Sequence, residues 1–110
     1  MIVKNMTLDP VAVYAVGDRI PEVYPPQGNL VEVTQIRVPA GNVNGAPIFS
    51  LMSDPIVRGL PDLEDGVVII VTAEARRALH GRPDVVTPDY DRQAVRGAAG
   101  RILGVRGFIC

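Results

Sequence analysis

Short aliphatic runs, cut every few positions by proline or glycine, dominate the hydrophobic pattern of this chain. Such a rhythm predicts strands rather than helices. Ile2 to Met6 and Val11 to Val16 read as two strands, the second alternating Val11, Val13 and Ala15 against Ala12, Tyr14 and Val16. Gly17 and Asp18 turn the chain. Ile20 to Tyr24 can then continue the sheet only at an edge or a bulge, because Pro21 has no N–H for a ladder. Pro25 to Asn29 forms the next turn. Leu30 to Val38 places Val31, Val33, Gln35 and Arg37 on one face and Leu30, Glu32, Thr34, Ile36 and Val38 on the other, so both faces are expected to be partly covered. Pro39 to Gly45 reads as a loop and Ala46 to Met52 as a strand with an irregular start at Pro47. Ile56 to Arg58 is a short extended piece between the turn residues Ser53, Asp54, Pro55 and Gly59, Leu60, Pro61.

The next stretch changes character. Val67 to Val71 is a continuous apolar run, the pattern of a strand buried on both faces at the centre of a sheet. Thr72 can cap a helix of about two turns over Ala73 to His80, which Gly81 and Pro83 terminate. Its apolar stripe is Ala75, Ala78 and Leu79, so Glu74, Arg76 and Arg77 are expected to face solvent. Val85 to Thr87 can pair again. Gln93 to Arg96 and Arg101 to Ile109 read as a closing hairpin across Gly97, Ala98, Ala99 and Gly100. The expected fold is therefore mainly β, a single domain over 1–110 built as a small sandwich or barrel with one short helix.

Composition narrows this picture. A chain of 110 residues suits one domain, and with 47% apolar residues but only 5% aromatics its core must be aliphatic. No apolar run approaches the roughly 20 residues that cross a bilayer, and the first residues lack the order of a signal peptide. A cytoplasmic protein without membrane attachment is expected. The net charge of −1 conceals an asymmetry. Residues 1–65 hold eight acids and four bases, giving −4, while residues 66–110 hold four acids and seven bases, giving +3. The basic half can face an anionic ligand or pair with the acidic half of another copy, and a homo-oligomer is expected.

Candidate chemistry is sparse. Cys110 is the only cysteine, which excludes an internal disulfide and a structural zinc site. The acidic groups Asp62, Glu64, Asp65 and Asp84, Asp89, Asp91 do not match the spacing of a calcium loop, so no metal and no cofactor are expected. One lysine, few aromatics and a net acidic charge argue against nucleic acid as a partner. Four residues stand out as ligand contacts. Arg82 lies between Gly81 and Pro83 with Asp84 beside it, so its guanidinium can be aimed at a ligand or paired with Asp84. Arg106 lies between Gly104 and Gly107, where a close backbone approach can direct its side chain. His80, the single histidine, is placed to cap the helix end or to act as a base. Removing Arg82 or Arg106 is expected to cost binding without unfolding the chain.

A family resemblance runs along the chain. Asn5, Met6, Thr7, Leu8, Asp9, Pro10 and Val11 resemble the Asn-Leu-Thr-Pro-His-Pro-Val opening of small uncharacterised actinobacterial and phage-related proteins. Gly45 to Ile48, Gly59 to Pro61, Ile70 to Thr72, Gly81 to Asp84 and Gly104 to Phe108 are similar in the same order. Leu8 and Asp9 depart from the pattern where it has proline and histidine, so a role for that histidine does not carry over. The resemblance implies a phage or prophage setting. With the thin acid, base and nucleophile set, it leads to the expectation of a non-enzymatic protein that sequesters a small anionic, nucleotide-derived ligand as a phage accessory or counter-defence factor. The alternative is an interaction module that blocks or modifies a host protein.

Overall fold

The computed structural model describes residues 1–17, 19–52, 54–79 and 81–110. The expectations placed on Asp18, Ser53 and His80 lie outside these residues. Those described fold as a mainly β single domain with one short α-helix. Its organising element is the run that the sequence marks as central. β8 (Val67–Ile70) lies between β1 (Ile2–Asn5) and β9 (Val85–Pro88), parallel to both, and β12 (Phe108–Ile109) adds antiparallel to β9. Parallel neighbours need a crossover, and α1 (Ala73–Ala78) supplies the one between β8 and β9. Thr72 caps the helix as expected, its Oγ1 accepting the Ala75 N–H at 3.2 Å. Leu79 closes it.

A second four-stranded sheet runs β10 (Ala94–Arg96), β11 (Ile102–Val105), β2 (Val11–Val13) and β3 (Glu22–Tyr24). Alternation along the central strands divides their side chains between two cores. Ile70, with Val3 and Val86 beside it, packs on Val11 and Val105 of the second sheet. Val67, Ile69, Val71 and Val85 turn the other way, to Met6, Val31 and Ala75. The two open sheets thus face each other across one core while α1 covers the opposite face.

Two smaller pairs complete the chain. β4 (Glu32–Thr34) pairs with β7 (Ile56–Arg58), and β5 (Arg37–Val43) with β6 (Ala46–Leu51). The single strand expected over Leu30 to Val38 is therefore two strands in different sheets. Its buried face is that of Val31 and Val33, and Glu32 and Thr34 face solvent. The loop expected over Pro39 to Gly45 is also corrected. Its residues form most of β5, and only Asn44 and Gly45, with φ of 48° and 87°, make the turn. Two successive positive-φ residues suit the twist of a two-residue hairpin. The closing hairpin forms as expected between β10 and β11, but Phe108 and Ile109 leave it to join β9.

One buried polar side chain ties the sheets together. Asn5 is inaccessible to solvent, yet its amide donates to the carbonyls of Asp9 and Tyr24, each at 2.8 Å. Its Oδ1 accepts from the Thr7 N–H and hydroxyl. Asn5→Ala removes all four bonds and leaves the Thr7 N–H and the Tyr24 carbonyl without the side-chain partner, while the Asp9 carbonyl keeps the Thr7 hydroxyl at 3.0 Å. It should lower the unfolding free energy by about 2 kcal/mol, measured by urea denaturation. A loss below about 0.5 kcal/mol would show that water replaces the amide at no cost.

Candidate functional site

Arg82 sits in the connection from α1 to β9, where its backbone N–H reaches the Leu79 carbonyl at 2.9 Å. Its side chain folds back onto Asp84. Nε donates to Oδ1 at 2.9 Å and Nη2 to Oδ2 at 2.8 Å, a bidentate pair, and Nη2 also donates to the Pro61 carbonyl at 2.9 Å. Asp84 is buried, at 5% side-chain exposure, while Arg82 keeps 25%. The guanidinium holds the Asp84 carboxyl below its ordinary value, and the bond to Asp84 raises the Arg82 guanidinium in turn. The structure thus brings Arg82 and Asp84 together as partners of each other rather than as two groups facing one ligand. It also gives Arg82 a structural task, against the expectation that its loss would leave folding untouched. The pair staples the β9 entry to the segment at Pro61.

Arg106 lies in the turn between β11 and β12, exposed, with Nη1 donating to the Ala15 carbonyl at 3.3 Å. The expected close backbone approach is real, and it occurs at Gly104. A Cβ there would stand 2.4 Å from the Ala12 carbonyl oxygen and 2.9 Å from the Tyr14 ring. Arg82 and Arg106 are not neighbours in the folded chain. Arg82 precedes β9 and Arg106 lies beyond its far end, where Phe108 pairs with Pro88, and four strand residues span roughly 10 Å.

A different pair of arginines lines a cleft. The face of α1 bearing Arg76 and Arg77 meets the segment from Thr87 to Asp91 and Ile109 around a cavity of about 330 Å³. The volume lies at the lower end of small-ligand sites. Arg76, half-buried, donates from Nη1 to the Cys110 carbonyl oxygen at 3.2 Å and keeps further N–H groups for a ligand. Tyr90 forms an aromatic wall, and its hydroxyl is pushed above the ordinary tyrosine value by burial and then by Asp9, so it remains a donor at neutral pH. Asp89 is engaged by the turn, its Oδ1 accepting the Arg92 N–H at 3.1 Å, and Asp91 is the second carboxylate at the rim. Sequence reasoning placed Arg76 and Arg77 on a solvent face. What it missed is that β12 returns beside β9 and builds the opposite wall of the cleft.

Among the described residues no group of three or more His, Cys, Asp or Glu side chains is arranged to hold a metal ion, and no helix is long and apolar enough to cross a membrane. Comparison with protein-family models, with curated proteins and with solved structures finds no match to this chain.

Proposed function

We propose that this chain is a non-enzymatic binding protein that holds a small, nucleotide-derived anion in the cleft between α1 and the β9–β10 turn. The observation that carries the reading is the company kept there. Arg76 and Arg77 supply guanidiniums for a phosphate, Tyr90 and Ile109 offer surface for a ring, and Asp91 can accept from an exocyclic amino group. A bare phosphate would gain the arginines but meet the carboxylate, which favours an anion that also carries hydrogen-bond donors. On this reading the protein sequesters its ligand in a bacterial cytoplasm, and the resemblance to phage-related proteins supports an accessory or counter-defence role.

Calorimetry with a panel of mononucleotides and cyclic nucleotides tests it. Arg76→Ala and Arg77→Ala should each weaken binding by about tenfold or more, as expected for a charge-assisted bond to phosphate. Arg106→Ala should change affinity less than about twofold, as an exposed charge outside the cleft. Loss of binding in the Arg106 variant alone would move the site to the β11–β12 corner. A parent protein that binds none of the panel, by calorimetry and by native mass spectrometry, ends the proposal.

A further inference from the structure

The β5–β6 hairpin stands apart from both cores, and every one of its strand residues is exposed. An arm that stayed in water would be polar on at least one face. This one is apolar on both. The register puts Val38, Val43 and Ile48 on one side, and Phe49 and Leu51 with Pro39 and Pro47 on the other. Arg37 is its only charged strand residue. Each strand also carries a proline, which interrupts a ladder, so what the arm offers is its faces rather than a continued sheet edge.

The surface of the whole molecule points the same way. A compact monomer of 11.8 kDa exposes roughly 5,900 Å², whereas this chain exposes 7772 Å². The radius of gyration is 16.8 Å, against about 13 Å for a compact chain of this length. The surplus of about 1,900 Å² exceeds twice the roughly 800 Å² that each partner buries in a stable interface. The body supplies a candidate counter-surface, an open groove of about 890 Å³ lined by Met6, Leu8, Leu30, Leu60 and Pro61 together with Asn29 and Glu32. One chain therefore carries both an arm with apolar side chains on its two faces and a largely apolar groove. From these observations we infer that the arm is the assembly surface of the protein, and that its occupant is a second copy of this chain. Arm and groove of neighbouring copies cover each other, and the surplus area disappears on assembly.

Light scattering and sedimentation of the full chain at about 1 to 100 µM test this directly. The parent should have a mass of at least twice 11.8 kDa. Ile48→Glu and Phe49→Glu, on opposite faces of the arm, should each raise the dissociation constant by about thirtyfold or more, the effect of losing an interface hot spot. Val16→Glu, at a position 93% exposed and outside the arm, should leave the mass unchanged. Circular dichroism of the variants should match the parent, since the arm takes no part in either core. Independently of any variant, amides of β5 and β6 should gain hydrogen-exchange protection as protein concentration rises. A parent that is monomeric across the range, or arm variants that retain its mass, overturns the inference. So does an arm that becomes protected only when a different protein is added, because the partner is then not a second copy. None of these readings depends on nucleotide binding, so failure here is distinguishable from failure of the cleft.

Discussion

Gly104→Ala should destabilise the protein by roughly 3 kcal/mol or more, lowering the melting temperature of a domain this size by well over 10 °C. The new Cβ would lie 2.4 Å from the Ala12 carbonyl oxygen, a backbone atom that cannot rotate away as a side chain could. Moving that carbonyl means moving β2, and β2 is held to β11 beside the site, where Val105 pairs with Val13 and its carbonyl accepts the Tyr14 N–H at 2.8 Å. Val11 and Val105 also close the core between the two sheets. Relief of the clash therefore opens a ladder and a core together. Thermal and urea unfolding measure the effect, and a loss under about 1 kcal/mol would mean that β2 can retreat without disturbing its neighbours.

A loss of about 3 kcal/mol is likewise expected for Arg82→Ala, because the truncation leaves the buried Asp84 carboxylate without its bidentate partner. The Pro61 carbonyl loses its donor as well. The pH dependence follows from the sign of the Asp84 shift. Its folded value lies below the ordinary 3.8, so folding favours the ionised form. The stabilisation is complete above that ordinary value and is lost as pH falls through the depressed folded value. Between pH 7 and about pH 5 the parent should keep this contribution unchanged, and below about pH 4 the gap between parent and the Arg82→Ala variant should narrow. A gap that persists undiminished at pH 2 would show that packing of the arginine stem, and not the charge pair, provides the stability.

The elements most legible in the sequence were those whose hydrophobicity and boundary chemistry agree. Val67 to Val71 could be placed at the sheet centre because an unbroken β-branched run has no solvent face to offer. Thr72 could be placed at the helix start because its hydroxyl has a local task. Of the arm, Ala46 to Met52 was legible as a strand, but its partner over Pro39 to Val43 was read as loop although Asn44 and Gly45, the strongest two-residue hairpin signal, stood between apolar neighbours. Pro39, Gly41 and Pro47 outweighed that signal, since in an ordinary sheet they would spoil a strand. At the free edges of a two-stranded arm with a bulge between Pro39 and Gly41 they do no harm.

The candidate site was harder to read, for a physical reason. Arg82 and Asp84 lie two positions apart in sequence, and that closeness does not say whether two charges meet a third party or each other. The cleft at Arg76 depends on β12 returning beside β9, a long-range pairing that no local spacing encodes.

Synthesis and folding run on different clocks in such a topology. β1 has its partner in Val67 to Ile70, so the first strand must wait until more than half of the chain exists, several seconds at about 5 to 20 residues per second. The hairpin of β5 and β6 has its whole ladder within residues 37–51 and can close in about 1 to 10 µs, although two strands alone are only marginally stable in water. The arm can therefore form and reopen many times while the body that will carry it is still missing its central strands. If the arm joins copies of this chain as inferred above, the speed at which the Gly59–Pro88 stretch is delivered sets how long an arm stays exposed before its body has a core.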